Sequence, residues 1–325
     1  MAERSPDISV VVPSHDRPLR LRWLLNALEA QTLPRERWEV IVGHDSSGPE
    51  TEELLRTHPL ALDGTLRHVT LEPGTAPPGR NRNAAWRTAR APLIAFTDDD
   101  CRPPVEWLEN ALAAAQARPG TIVQGRTVPD PVEVVTNMAW LRRTQWVPKP
   151  PTPWCEACNI VYPRDVLERV SGFDETMYVG EDTDLALRAR ATGVPYEGDA
   201  RVETFHANDQ VSIREAIRGA QRWGGLAELI QRHPQMRKEF PMWFFWKRTH
   251  PLLLLAVAGW FLERRSRAYA LLMVPYVIHA APQGHSSRPR GRVRALLGVP
   301  GQIAIDVAEM VGLARGSVRH RKFLL

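Results

Sequence analysis

Four short apolar runs rich in β-branched residues, each leading into a polar turn, set the architecture of the first hundred residues. Ile8 to Pro13 is followed by Leu19, Leu21, Leu24, Leu25 and Leu28 at helical spacing, and Trp38 to Val42 by a helical pattern from Glu50 to His58. Thr65 to Leu71 precedes a helix over Asn81 to Ala89, and Pro92 to Thr97 closes the series. Strands that alternate with helices require crossovers, so the expected class is α/β, with a Rossmann-like, mostly parallel sheet covered by helices on both faces. Ligands of such sheets bind beyond the carboxyl ends of the strands. Ser14, His15 and Asp16, then His44 and Asp45, then Asp98, Asp99 and Asp100 all fall at those ends.

Beyond Pro103 the pattern predicts a helix over Val105 to Ala117, a strand over Thr121 to Gly125 and a long Pro- and Trp-rich excursion from Val128 to Trp154. A strand at Asn159 to Tyr162, helices at Arg164 to Val170 and Glu181 to Ala191, and a last strand from Val202 to Phe205 before His206 follow. With 325 residues and 43% hydrophobic content the chain has material for about two domains. They are expected as a catalytic domain over 1–240, with a nucleotide-binding half at about 1–100 and an acceptor half at 101–240, and a helical appendage over 241–325.

The appendage differs in charge and hydropathy. Residues 1–263 hold 31 basic and 35 acidic side chains, whereas residues 264–325 hold 11 and 2, so the net excess of +5 is entirely C-terminal. Its apolar runs, Pro251 to Leu262 and Ala268 to Ile278, fall short of the ~20 residues that cross a bilayer. Together with Met242 to Trp246 and the Arg264, Arg265, Arg267 break, they suggest helices lying in the headgroup region of an anionic membrane surface. Nucleic acid is not expected as a partner, because the basic residues alternate with aliphatic runs rather than stacking aromatics. The charged start of the chain lacks an apolar signal region, and three cysteines are too few for a disulfide framework. The expected location is therefore cytoplasmic, peripheral at the inner face of the plasma membrane.

Two acidic sets carry the chemistry. Three consecutive aspartates after an apolar strand raise one another's pKa unless a cation neutralises them, which points to a hard divalent ion, Mg²⁺ or Mn²⁺, held together with a substrate phosphate. Glu181, Asp182 and Asp184 open a helix, where the dipole favours carboxylates, but capping needs no more than one or two of them. A second acidic set far from the metal candidates is what a displacement reaction uses as its base. Cys155 and Cys158 form a Cys-x-x-Cys pair without a second pair, so zinc is not expected there.

In register, Val10 to Arg17, Asp45, Arg80-Asn81, the Asp98–Asp100 triplet (a DXD motif), Gly172-Phe-Asp-Glu175 and Gly180-Glu-Asp182 resemble the family 2 glycosyltransferases of GT-A fold, over about residues 7 to 235. The resemblance implies a nucleotide-diphosphate-sugar donor, most often a UDP-sugar, a divalent metal, and inversion at the anomeric carbon. It places Pro13, His15 and Asp16 around the nucleoside, Asp45 on the base, Arg80 on the nucleotide side, and Asp98 and Asp99 near the ribose or metal-bound water. Asp100 and His206 would hold the metal, Asn159 would contact the donor sugar, Asp182 would act as catalytic base, and Glu181 would orient a substrate. Asn83 stands where the family commonly has glycine, and His15 where tyrosine is commoner. The acceptor implied is a sugar or lipid-linked hydroxyl of the cell envelope. The rival readings are a nucleotidyltransferase, which would carry a Gly-rich loop where this chain has Pro-Ser-His-Asp-Arg-Pro, and a non-catalytic sugar- or lipid-binding subunit, which would not need both acidic sets.

Overall fold

The computed structural model describes residues 5–74, 77–136, 141–280 and 298–325, and the chain forms two compact units. The first comprises the chain to Asn137 and Arg143–Asp209; the second holds Met138–Arg142 and Gln210–Leu325. The segment 210–240, placed with the catalytic half on sequence, belongs to the second unit by its contacts.

The first unit is built on an eight-stranded sheet. Its strands are β1 (Ile8–Ser14), β2 (Trp38–His44), β3 (Leu66–Thr70), β4 (Leu93–Thr97), β5 (Cys101–Arg102), β6 (Ile122–Pro129), β7 (Asn159–Pro163) and β8 (Tyr196–His206), in the order β3-β2-β1-β4-β7-β6-β8-β5. The β3-β2-β1-β4 half is parallel, as is β6 with β8, whereas β7 runs antiparallel to both neighbours and β5 antiparallel to β8. Helices α1 (Pro18–Glu29), α2 (Pro49–Thr57), α3 (Pro59–Leu62), α4 (Pro78–Trp86), α5 (Trp107–Gln116), α6 (Pro131–Thr136), α7 (Arg164–Arg169) and α8 (Glu181–Ala191) complete it.

The two faces of β1 explain its continuous apolar run. Val10 and Val12 pack with Val40 and Val42 against Leu21, Leu24 and Leu25 of α1, while Val11, one residue out of phase, packs with Ile41 and Phe96 toward Ala85 and Trp86 of α4. A strand buried on both sides cannot alternate apolar with polar residues. Gly43 lets α4 cross β2 closely, since a Cβ there would lie 2.1 Å from the Asn81 carbonyl oxygen.

The second unit is helical: α9 (Ile213–Ala220), α10 (Leu226–Arg232), α11 (Thr249–Leu262), α12 (Val274–Ala280) and α13 (Val299–His320), with 3₁₀ turns at Gln221–Gly225 and Arg267–Met273. A full capping box between Ser212 and Glu215 starts α9. Gly312 and Gly316, one helical turn apart on α13, meet the 221–225 turn backbone to backbone: a Cβ on Gly316 would sit 2.1 Å from the Gly224 carbonyl oxygen. This contact is why residues 210–232 pack with the C-terminal helix. Leu253, Ala256, Tyr276 and Val299 form a small core. The Lys247 ammonium and the His250 ring meet the buried Glu309 carboxylate at 2.6 and 3.1 Å, tying the approach to α11, and α11 itself, to α13.

Candidate active site

Because β1, β2 and β4 are parallel, their carboxyl ends deliver Ser14–Arg17, Asp45 and Asp98–Asp100 to one edge of the first unit. Asp45 is buried, and its Oδ1 accepts from Asn81 Nδ2 at 2.8 Å and lies 3.0 Å from His15 Nδ1, while Oδ2 is buried with no partner. An unpaired buried carboxylate oxygen is costly, so this atom is a candidate acceptor for a ligand donor such as a base N–H. Asp16 adopts a left-handed backbone (φ 50°) and uses both carboxylate oxygens on the Ser47 N–H and hydroxyl. It therefore holds the β1 and β2 loops in register. Pro13 is half-buried at the end of β1, and His15 is exposed beside Asp45.

Ser14, one of the polar residues at the end of β1, and Arg17, to which no role is assigned on sequence, join this cluster. Ser14 Oγ donates to Asp99 Oδ2 at 2.8 Å, and Arg17 Nη1 lies 2.7 Å from Asp100 Oδ2 and 3.6 Å from Asp99 Oδ1. Burial and the adjacent Asp100 push the Asp99 carboxyl up to about 7, against the pull of Arg17 and Ser14. Asp100 Oδ1 faces His206 Nε2 at 3.3 Å, because Cys101 pairs with His206 across β5 and β8. Asp100, His206 and the buried Cys101 offer ligand atoms within 4.8 Å of one another. A carboxylate oxygen and an imidazole nitrogen at this spacing fit a divalent ion with mixed O/N ligation such as Mn²⁺.

The second acidic set is brought to the first by Arg82. This buried guanidinium donates from Nη2 to Asp98 at 2.7 Å and from Nη1 to Glu181 at 3.0 Å, and the two carboxylates hold its pKa above the ordinary arginine value despite burial. Arg80, which the resemblance places on the nucleotide side, is exposed on α4. Two residues along the helix turn the side chain by roughly 200°, and only the packed structure shows that Arg82 faces inward. Gly180 (φ 79°) starts α8 from a left-handed conformation and presents Glu181 and Asp182. Burial first, then the charges of Glu181 and Glu156, hold the Asp182 carboxyl well above the usual range, opposed by Arg82. Among the described residues its Oδ2 accepts a long bond from the Ala157 N–H at 3.3 Å. Asp184, the alternative base on sequence, is buried and paired with Arg188 at 2.7 Å, so it closes α8 onto the 170–172 turn.

Asn159 serves the sheet. Its Nδ2 donates at 2.8 Å to the carbonyls of both Arg126 and Val202, filling the register shift between β6 and β8 at Gly125/Arg126, and its Oδ1 accepts from Trp107 Nε1 at 3.0 Å. Both N–H groups and one of the two oxygen lone pairs of its amide are thus used within the sheet. Asn83 is likewise an anchor: Nδ2 donates to the Phe173 carbonyl and Glu175, and Oδ1 accepts from the Phe173 N–H and Trp86 Nε1. This explains the departure at Asn83, because the amide clamps α4 to the Gly172–Glu175 turn, which is thereby a structural element.

The profile described as Glycosyl transferase family 2 covers residues 9–170, and that of Glycosyl transferase family group 2 covers residues 93–282. The chain thus belongs to the family 2 glycosyltransferases. Among curated relatives, the glycosyltransferase AglE of Haloferax volcanii is 25% identical over 202 residues, which are 59% of this chain and 64% of the relative. Validoxylamine A glucosyltransferase of Streptomyces hygroscopicus is 28% identical over 225 residues, 58% of this chain and 53% of its own length. The chain thus spans about half to two thirds of these relatives. Among solved structures, the Pyrobaculum calidifontis mannosyltransferase PcManGT in complex with GDP-Man and Mn²⁺ superposes with a TM-score of 0.57 at 21% identity, covering 98% of this chain and 88% of that one. Staphylococcus aureus TarS 1-349 in complex with UDP-GlcNAc gives 0.53 at 15% identity, covering 97% and 92%. These two likenesses establish the shared GT-A-like fold.

Proposed function

We propose that the chain transfers a sugar from a nucleoside-diphosphate donor to an acceptor hydroxyl in a metal-dependent reaction with inversion. The observation that carries this reading is Arg82, which holds Asp98 of the first acidic set and Glu181 of the second in a single guanidinium span. Sugar donors in the structural neighbours, GDP-Man with Mn²⁺ in one and UDP-GlcNAc in the other, support a nucleotide sugar, with UDP the first choice of base. Asp45 Oδ2 would accept from the base, with His15 and Pro13 beside it and Arg80 and Asp98 on the sugar-phosphate side. Asp100 and His206 would hold a divalent ion that supplies positive charge to the departing diphosphate. Asp182, with its raised pKa, would accept the proton of the attacking hydroxyl, and Glu181 would orient the acceptor through its fixed position on Arg82.

The acceptor is proposed to be a lipid-linked or envelope glycan met at the cytoplasmic membrane face. Among the described residues no helix is long and apolar enough to cross a membrane. The second unit nevertheless exposes Trp260 (54%), Phe261 (61%), Leu271 (69%) and Ile278 (64%) beside Arg264, Arg265 and Arg267. Apolar side chains in that density, flanked by arginines, suit shallow insertion into an anionic leaflet.

The deciding experiment is binding of UDP and GDP to the full chain with and without Mn²⁺ or Mg²⁺, measured by calorimetry. Metal-dependent tightening that disappears in Asp100→Ala supports the assignment. Equal tightening in the variant and the parent would remove Asp100 from the metal site.

A further inference from the structure

Outside the acidic cluster, three rigid elements of the first unit bring together His44 at the end of β2, Glu52 in α2 and His68 in β3. His44 Nε2 lies 3.2 Å from Glu52 Oε1, and His68 Nε2 lies 3.3 Å from Glu52 Oε2. One ligand atom from each residue falls within 4.8 Å of the other two. We infer that His44, Glu52 and His68 form a second metal site, for a borderline transition-metal ion of the Zn²⁺ type, separate from the donor site and independent of the sugar-transfer reading.

The spacing is the first argument. Metal–ligand bonds of roughly 2.0–2.1 Å in a tetrahedron set neighbouring ligand atoms about 3.3 Å apart; His44 Nε2 lies at about that distance from one Glu52 oxygen and His68 Nε2 from the other, with one atom of each residue within 4.8 Å of the rest. The donor chemistry is the second: two imidazole nitrogens and one carboxylate favour Zn²⁺ over Mg²⁺ or Ca²⁺, which take oxygen ligands. Thr70 Oγ1 donates to Glu52 Oε1 at 2.6 Å and also lies 3.3 Å from His44 Nε2, so it orients both groups toward each other.

Access is also provided. His44 is fully buried, but the side chains of His68 and Glu52 are 31% and 44% exposed, which opens an entry path and room for a water as fourth ligand. The comparable trio His250, Asp306 and Glu309 in the second unit is closed: Glu309 is held by Lys247 and His250, and Asp306 by Tyr276 and Gln302. An ion on His44 would pin the first turn of α2 to the β2–β3 edge, one residue from Asp45.

The test uses the full chain carrying Asp100→Ala and His206→Ala, which removes the proposed donor-site ligands, dialysed against Zn²⁺ and, in parallel, Co²⁺. The expected result is one equivalent of Zn²⁺ retained in the presence of excess Mg²⁺, visible absorption bands of four-coordinate Co²⁺, and a Tm raised by Zn²⁺ because the ion binds the folded state. Adding Glu52→Gln or His68→Ala should weaken Zn²⁺ binding by more than the roughly 10-fold that loss of even an outer partner costs and abolish the Co²⁺ bands. Both positions are partly exposed, and the metal-free Tm of each variant reports whether the fold is kept. Absence of Zn²⁺ binding in the background protein, or undiminished binding in folded Glu52→Gln and His68→Ala, would overturn the site. Neither result bears on nucleotide binding, so failure here is distinct from failure of the donor assignment.

Discussion

At the residue scale the proposed base is Asp182, whose Oδ2 accepts, among the described residues, the long bond from the Ala157 N–H. Asp182→Asn keeps shape and loses the proton acceptor, so turnover should fall by about 10²–10⁴, while UDP or GDP affinity, measured by calorimetry, stays within about twofold. Near-normal turnover would move the base to another group, and Asp184 is the weakest replacement because Arg188 already occupies it. The same carboxyl predicts a pH profile. A base works only when deprotonated, and burial beside Glu181 and Glu156 raises its pKa, so the acid limb of kcat should lie above the ~3.9 of a free aspartate. Arg82 opposes the rise; removing its charge in Arg82→Gln should move the limb to still higher pH. The variant should also lose about 3 kcal/mol of stability in urea unfolding, the usual cost of leaving a buried carboxylate, here Glu181, without its cation. A limb that moves to lower pH would contradict the geometry around Arg82. His15, Asp45 and Asp100 were legible from type and position alone, since polar groups at the carboxyl ends of parallel strands converge. Arg82 was not, because a helix in sequence does not announce which of two nearby arginines turns inward.

At the element scale, strands and helices followed from periodicity, and what escaped was their side-chain stitching. Asn159 reads as a polar residue at a strand end, a natural ligand contact. In the sheet it bridges the register shift between β6 and β8, which no local pattern reveals because its partners, Arg126 and Val202, lie 33 and 43 residues away. Asn83 is a second case, a buried amide clamp at a position where glycine is the commoner residue. In the second unit the Gly312 and Gly316 pair lets α13 approach the 221–225 turn at backbone distance. Gly316→Leu has no room there and should cost about 1–3 kcal/mol by overpacking, read as a lower urea midpoint at unchanged m. An unaltered midpoint would show that the helix can shift away without loss.

At the scale of the whole molecule, two units of different character share one chain: an acidic α/β unit that holds every proposed donor and base residue, and a helical unit rich in exposed apolar and basic side chains. The membrane reading predicts that the full chain sediments with vesicles containing phosphatidylglycerol, is partly released by high salt, and is released further when Arg264, Arg265 and Arg267 are changed together to Gln. Each basic residue near such a surface contributes about 1 kcal/mol. Trp260→Ser with Phe261→Ser should weaken binding with little effect on salt dependence. Indifference of the full chain to anionic vesicles would leave these side chains as an ordinary helical surface. Substitutions test this better than ending the chain near Pro241, because α9 and α10 pack with α13 and would lose their partner. The sequence by itself determined the alternation of strands and helices, the strand ends where acids gather, the family, and the charge and hydropathy break in the last quarter. These are local or additive properties, written in spacing and composition. Packing alone sets that Arg82 joins the two acidic sets, that Asn159 and Asp184 are held by the fold, that 210–232 packs with the C-terminal helix, and that His44 meets Glu52 and His68. Each of these depends on which side chains face each other across elements, a matter of packing between residues distant in the chain that no local pattern encodes.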